Sequence, residues 1–218
     1  MKWIGWLLLV GLTPVAHATP LKLAAAVEHT AILRPFIHDW FGRAGIDFQL
    51  IPCSYARCEK LIEADHAVDG DMARIKGFDQ TYPHLLQIGA PISEAAIYGQ
   101  PRDNPSWPPA KGTVIGCLRG IQWCERFLGN YQVIWLNDEK QGLAQLHRGK
   151  VNWLIKMRPA SQPALASPWQ KITKEQVFLY LDKKHRAEIA ALLKVQLAFI
   201  NNGRWLAMQK QYLSAILR

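Results

Sequence analysis

The sequence predicts an α/β fold made of two successive units, each a mainly parallel sheet flanked by helices. Three observations support this. Short apolar runs alternate with amphipathic stretches over about the first eighty residues, which gives the order β, α, β, α, β. A proline-rich polar stretch from Gln100 to Pro109 then interrupts the pattern. After this stretch the alternation of strands and helices resumes.

The elements of the first unit can be identified one by one. Leu21–Val27 is a strand-like run that ends at Glu28-His29-Thr30, and residues 32–44 carry apolar side chains at helical spacing. Phe48–Pro52 reads as a second strand, and Ser54 is placed to cap a helix over about residues 55–64. A turn and a third extended segment follow over residues 68–75.

Extended segments continue into the second unit. The further strand-like runs are Leu85–Ile88, Ile92–Tyr98, Thr113–Cys117, Val133–Leu136, Val151–Lys156 and Val177–Leu181. Residues 122–128 and 140–147 read as helices, and two long helical patterns, over 186–201 and 203–217, end the chain. We expect the apolar side chains of these last two helices to face the core, Leu193, Leu197, Ile200 and Leu206 among them.

The N-terminus has the features of a Sec-type signal peptide. Lys2 precedes an apolar run over residues 3–12, and Ala16-His17-Ala18 places small residues where a signal peptidase reads them. The run of about ten residues is too short for a membrane span, which needs about 20. We therefore expect residues 1–18 to be removed and the chain to be exported to the periplasm. A retained N-terminal anchor is the alternative.

Charge and cysteine content narrow the possible functions. The chain has 26 basic and 17 acidic residues, a formal net charge of +9, but the charges are dispersed and no nucleic-acid-binding motif accompanies them. Nucleic acid is therefore not an expected partner. Four cysteines in an exported protein indicate disulfides, with three possible pairings. Proximity in sequence favours Cys53–Cys58 and Cys117–Cys124, and the absence of a C-x-x-C pair argues against zinc.

Four segments, in this order, resemble a known family. They are Val68-Asp69-Gly70-Asp71, the stretch from Tyr82 to Ile92, the stretch from Gly142 to Val151, and Tyr180-Leu181-Asp182-Lys183-Lys184. Their order and spacing resemble the type II periplasmic solute-binding proteins, in particular the family 3 branch that includes polar amino-acid receptors. The resemblance implies two lobes joined by two crossing strands, with the ligand in the cleft between them.

For this chain the resemblance implies a first lobe of residues 19–98 plus 182–218 and a second lobe of residues 99–181. The crossings are then expected near Ile97–Arg102 and Phe178–Asp182. The implied function is binding without catalysis or a cofactor, by a monomer that delivers a small ligand to a membrane transporter of the ABC type or reports it to a sensor.

Two departures from the family pattern bear on the ligand. The stretch Leu85–Ile92 lacks the arginine with which amino-acid receptors of the family grip a carboxylate, and Val151–Lys156 lacks the acid that holds the ammonium group. A standard amino acid is therefore not the expected ligand. We expect instead a small polar ligand that is anionic or hydroxylated.

Candidate ligand-binding residues follow from a general rule for α/β sheets. Ligands bind where loops and helix N-termini meet at the carboxyl ends of strands. This rule selects residues after or around the predicted strands: Glu28, Tyr55, Arg57, Asp71, Arg74, Arg119 and Gln122. The arginines could clamp an anion, and Asp71 could bind a hydroxyl or an amine.

Two other functions remain open from the sequence. The fold could serve as a protein-interaction or sensor-accessory module that binds no small ligand. A small periplasmic hydrolase or dehydratase could use Glu28 and Asp71 as a carboxylate pair, although the sequence has neither H-E-x-x-H nor G-x-S-x-G.

Overall fold

The computed structural model describes residues 19–64, 67–103 and 106–214 of the chain. The predicted signal peptide, residues 1–18, lies outside this described part. The elements follow in the order β1 (Leu21–Ala26), α1 (Val27–Ala44), β2 (Phe48–Cys53), α2 (Tyr55–Glu63), β3 (Gly70–Ile75), α3 (Phe78–Thr81), β4 (Leu85–Pro101), β5 (Val114–Leu118), α4 (Gln122–Phe127), β6 (Gln132–Leu136), α5 (Glu139–His147), β7 (Trp153–Pro159), β8 (Gln170–Asp182), α6 (Arg186–Asn201) and α7 (Arg204–Ser214).

The strands form one continuous eight-stranded sheet in the order β2-β1-β3-β8-β4-β7-β5-β6. In the first half, β1 pairs in parallel with β2 and β3; in the second half, β5 pairs in parallel with β6 and β7. The long strands β4 and β8 run antiparallel to their neighbours and join the two halves. The predicted α/β fold is confirmed, with the two mainly parallel parts fused through β4 and β8.

Strand pairing shows where the chain passes between the halves. In β8, Val177–Leu181 lie beside β3, and in β4, Ala95–Pro101 lie beside β7. The β4–β8 pairing is interrupted between Ile88 and Ser93. Each of the two strands changes its neighbour before the crossing that was expected near Ile97–Arg102 or Phe178–Asp182. The division into lobes stays a prediction, and the pairing favours boundaries at about residues 88–93 and 176–177.

The interruption in β4 is bridged by side chains of the last two helices. The Gln196 amide accepts a hydrogen bond from Ala90 N–H at 2.9 Å and donates one to the Ala90 carbonyl at 3.1 Å. Trp205 Nε1 and Gln209 Nε2 donate to the Pro91 carbonyl at 3.2 and 2.8 Å. Because these bonds replace those lost from the ladder, the two extended segments predicted at Leu85–Ile88 and Ile92–Tyr98 form one strand.

Helix α1 begins earlier than the sequence pattern predicts. It starts at Val27 rather than near Ile32, and Ala26 at its N-cap provides no capping side chain. The usual start signal is therefore absent from the sequence. As a result, Glu28 and His29 lie in the first turn of a long helix and not at the end of a strand.

The core lies on both faces of the sheet. Helices α1, α6 and α7 cover one face of the first half of the sheet. The core cluster on the opposite face includes α2 from the first half and α4 from the second half. Trp40, Trp153 and Trp205 are buried in the core. The prediction that every apolar residue of the last two helices faces the core is wrong for Leu193, Leu197, Ile200 and Leu206, which are exposed. Helix α6 packs on α1, α7 and β4, with Ile189, Leu192 and Phe199 buried.

Two disulfides, Cys53–Cys58 and Cys117–Cys124, confirm the favoured pairing. Each links the carboxyl end of a parallel strand to the helix that follows it, β2 to α2 and β5 to α4. Among the helices of the described residues, none has both the length and the apolar character that a membrane span requires.

Candidate functional site

The two disulfide-closed loops meet across the boundary between the halves of the sheet. A Cβ atom placed on Gly120, in the Cys117–Cys124 loop, would lie 2.5 Å from the backbone carbon of Tyr55 and 2.6 Å from the nitrogen of Ala56, in the Cys53–Cys58 loop. Gly120 also has φ +79°, which favours glycine. The halves are therefore in direct contact here, and we call this boundary the cleft.

Arg74 is the central charged residue of the cleft. It lies near the end of β3, is buried, and its Nη1 donates a hydrogen bond across the cleft to the Gly120 carbonyl at 3.3 Å. Its Nε donates to Asp71 Oδ2 at 2.8 Å, and Glu59 Oε1 lies 3.8 Å from Nη1. Its Nη2 is buried and has no hydrogen-bond partner.

The surroundings of Arg74 keep it charged. Burial lowers the pKa of its guanidinium, but the charge and hydrogen bond of Asp71 and the charge of Glu59 outweigh this, so the pKa is above its usual value. Asp71 is fully buried, accepts a second hydrogen bond from Ala73 N–H at 2.9 Å, and forms a buried ion pair with Arg74. Burial disfavours the charged forms of both groups, and their mutual attraction and hydrogen bonds oppose this cost.

His29 supplies a neutral group beside the ion pair. Burial and then the charge of Arg74 lower the pKa of His29 to about 4. The imidazole is therefore uncharged at neutral pH. Its Nε2 and the Tyr55 hydroxyl are 2.8 Å apart and share a hydrogen bond, which connects the first turn of α1 to the first turn of α2.

Gln122 faces Arg74 from the second half of the molecule. It is the first residue of α4, its side chain is buried, and neither atom of its amide group has a hydrogen-bond partner. Arg74 and Gln122 both line a small enclosed cavity of roughly 10 Å³, together with His29, Gly120 and Trp123. A cavity of this size accommodates about one water molecule.

A wider groove continues outward from the cleft. It has a volume of about 370 Å³ and is lined from α2 by Glu59 and Glu63, and from the other half by Arg119, Glu125 and Trp135. Burial raises the pKa of Glu59 to about 7, with Arg74 opposing this and Glu125 and Glu63 adding to it. Glu59 thus links the buried cluster to the groove, and it titrates near neutral pH.

The structure brings together four of the seven residues selected from the sequence: Asp71, Arg74 and Gln122 directly, and Tyr55 through His29. Arg119 is exposed and lines the outer groove. Arg57 is exposed on α2 and lines neither the cavity nor the groove. The side chain of Glu28 lies outside the described part. None of these positions is tested as a binding residue, so all remain predictions.

Two residues of the cluster are absent from the predicted binding set. The carboxyl-end rule points to His29 as well as to Glu28, since both end the first predicted strand, but nothing in the sequence shows that His29 meets Tyr55. Glu59 stands four residues after Tyr55, one helical turn along α2, so helical spacing could have placed both on one side of the helix. The pairing of Glu59 with Arg74 depends on the packing of α2 against β3 and could not be read from spacing.

Comparison with known proteins identifies the fold. No protein-family model matches the sequence, and no curated protein is significantly similar to it in sequence. Among solved structures, it is similar to the arginine third transport system periplasmic binding protein from Legionella pneumophila, with a TM-score of 0.69 and 15% identity, covering 89% of this chain and 100% of that one.

Two further similar structures have other roles. The GluR0 ligand-binding core from Nostoc punctiforme in complex with L-glutamate matches with a TM-score of 0.65 and 14% identity, over 89% of this chain and 100% of that one. The periplasmic VFT2 domain of Bordetella pertussis BvgS matches with a TM-score of 0.61 and 14% identity, over 88% of this chain and 92% of that one. The chain therefore has the fold of the type II periplasmic binding proteins, as the sequence resemblance implied.

Proposed function

We propose that this protein is a periplasmic receptor that closes its cleft on a small polar ligand, for transport or sensing. The observation that carries the proposal is the set of unpartnered polar atoms buried between the halves, Arg74 Nη2 and both amide atoms of Gln122. Burying such groups without partners is costly, and proteins rarely do so outside functional sites. A ligand that entered as the halves separated and then bridged Arg74 and Gln122 would satisfy all three atoms and hold the halves together around it.

The periplasmic location rests on the predicted signal peptide, the two disulfides and the kind of protein that shares the fold. The similar structures include a binding protein of an arginine transport system and a glutamate-bound core. Arginine and glutamate are both small polar molecules, which supports a ligand of that size here.

The balance of charges in the cluster around Arg74 favours a hydroxylated ligand over an anionic one. The positive charge of Arg74 already faces Asp71 at 2.8 Å and Glu59 at 3.8 Å, and His29 is uncharged. An added carboxylate would leave the cluster with excess negative charge in a buried site. We therefore propose an uncharged ligand with hydroxyl or amide groups, which can accept from Arg74 and both donate to and accept from Gln122.

Matched acid and amide probes test this proposal. Thermal unfolding would be followed with acetamide and acetate, lactamide and lactate, and glycerol and glycerate, at millimolar concentration. We expect an amide or hydroxylated probe to raise Tm while its acid partner does not. Trp123, which lines the cavity, gives an independent signal through its fluorescence.

Two variants locate the binding site. Gln122→Leu should abolish the probe-induced shift in Tm, whereas Arg57→Gln, on the exposed side of α2, should preserve it. A shift that survives Gln122→Leu would place binding elsewhere. A response to the acids alone at pH 8 would refute the uncharged ligand but keep the receptor.

A second candidate function is supported by the size of the cavity. Its volume of roughly 10 Å³, and the direct contact of Gly120 with the backbone of Tyr55, fit a module whose halves bind each other and no solute. In that case none of the probes changes Tm or Trp123 fluorescence. A protein partner captured by the wild-type chain and not by a variant with an altered cleft would then favour the interaction module.

A further inference from the structure

The outer side of α6 carries a row of exposed aliphatic side chains. Leu193, Leu197 and Ile200 are 39%, 59% and 44% exposed, and Leu206 at the start of α7 is 55% exposed. The first three stand at positions i, i+4 and i+7 and therefore lie along one side of the helix. We call these four residues the α6 ridge. The sequence pattern predicted them to be buried, and nothing in the described part of the chain covers them.

The opposite side of α6 is already fully used by the fold. Ile189, Leu192 and Phe199 are buried in the core that α6 shares with α1 and β4, and Gln196 holds Ala90. The ridge is therefore not a misplaced core face but a second apolar surface on the same helix. Contiguous exposed apolar side chains of this kind mark interaction surfaces.

The segment that carries the ridge is rich in basic residues. Between residues 183 and 210 the chain has six basic residues and one acidic residue: Lys183, Lys184, Arg186, Lys194, Arg204 and Lys210 against Glu188. Lys184 and Arg204 already form ion pairs, with Asp69 at 3.1 Å and with Asp39 at 2.9 Å. Lys194 is exposed and lies within one helical turn of both Leu193 and Leu197. The whole chain adds to this with its net charge of +9.

The shape and composition of the α6 ridge favour one kind of binding partner over others. The ridge contains only aliphatic residues and lines none of the described cavities, whereas protein hot spots are enriched in tryptophan, tyrosine and arginine that fill pockets. A second copy of the chain would bring the same basic residues together. Four partly exposed side chains also supply far less than the about 800 Å² per partner of a stable dimer.

We propose that the α6 ridge docks on an anionic membrane surface. The aliphatic side chains would enter the boundary between headgroups and acyl chains, and Lys194 and its basic neighbours would contact the headgroups. The ridge shares no residue with the cleft cluster, so this proposal stands independently of the ligand.

Vesicle co-sedimentation of the full chain tests the proposal. Vesicles of phosphatidylcholine alone and of phosphatidylcholine mixed with phosphatidylglycerol would be compared at low and high salt. We expect binding to the anionic vesicles that weakens with salt. The double variant Leu197→Gln/Ile200→Gln should bind at least about tenfold more weakly. The same comparison is made with chains that start at Thr19, because the apolar run over residues 3–12 would itself enter vesicles and mask the difference.

Phe127→Gln provides a matched control. Phe127 is 49% exposed and lies beside the basic Arg126, but it belongs to α4 in the other half. Its loss should leave vesicle binding unchanged. The proposal is overturned if the double variant binds as well as wild type or if Phe127→Gln weakens binding equally. It is also overturned if the chain binds no anionic vesicles, or if it forms a dimer that the double variant abolishes. Thermal unfolding of each variant confirms that it is folded.

Discussion

Replacing Gln122 by leucine should stabilise the fold, whereas the same replacement at Gln196 should weaken it. Both side chains are buried, with exposures of 5% and 2%. Gln196 makes two hydrogen bonds to Ala90, but both amide atoms of Gln122 are without partners. The two variants therefore remove the same chemical group from a satisfied and from an unsatisfied site.

The expected magnitudes differ in sign. An unpaired buried amide costs about 1–3 kcal/mol, so Gln122→Leu should raise the free energy of unfolding by about that amount. Gln196→Leu loses two hydrogen bonds and leaves the N–H and carbonyl of Ala90 unpaired, which should lower it by about 2–4 kcal/mol. The two variants should thus be separated by at least about 3 kcal/mol.

Urea unfolding of the two variants and wild type, with the slope m held in common, measures this difference. If Gln122→Leu is destabilised to the same extent as Gln196→Leu, then Gln122 is hydrogen-bonded in solution and the reasoning behind the ligand site is refuted. An unchanged stability would mean that one water in the small cavity satisfies the amide, and the gain from leucine would then be cancelled. A stabilised variant that no longer responds to probes would show that Gln122 is kept for binding at the expense of stability.

Three further predictions concern the cleft. Gly120→Ala should force the halves apart, because its Cβ would lie 2.5 Å from the Tyr55 backbone. Small-angle scattering should show a larger radius of gyration for this variant than for the control Gly112→Ala, whose position has φ +80° but no neighbouring atom within 4 Å. Equal radii would contradict this prediction. The pKa of Glu59 is raised to about 7, so its protonated form stabilises the fold below about pH 4.5, and this contribution is lost as pH rises through 7. The free energy of unfolding of Glu59→Gln should therefore exceed that of wild type by about 1–2 kcal/mol at pH 8, after allowing for the partial exposure of Glu59, and should not exceed it at pH 4. The pKa of His29 is lowered to about 4, so the neutral imidazole stabilises the fold above pH 6.5, and this contribution of about 3 kcal/mol is lost as pH falls through 4. In urea titrations, the difference in the free energy of unfolding between pH 7 and pH 4 should be smaller for His29→Gln than for wild type.

The sequence predicted what depends on local pattern and on the direction of parallel strands. The carboxyl-end rule placed Arg74 and Gln122 in one region, because Arg74 lies near the end of β3 and Gln122 follows β5. Asp71 joins them from near the start of β3 through its hydrogen bond with Arg74. Proximity was enough for both disulfides, since each closes a short loop after a strand.

What the sequence could not give depends on contacts between distant elements. The start of α1 was missed because Ala26 is not a capping residue, so no local signal marks it. The same rule selected Arg57 and Arg74, and the exposure of Arg57 depends on the orientation of α2. The exposure of Leu197 was equally hidden, since helical periodicity shows an apolar side of α6 but not whether another element packs on it.

Helix α6 connects the ridge to the part of the chain that joins the two halves. On its inner side Gln196 bonds both backbone groups of Ala90, in the stretch where β4 leaves β8. On its outer side, one residue further along, is Leu197 of the α6 ridge. An opening of the cleft that pivots where β4 leaves β8 would change the backbone of this stretch, which α6 holds through Gln196. A surface that binds the ridge would therefore act on the same helix that restrains the opening of the cleft, so docking and ligand binding would be coupled through Gln196.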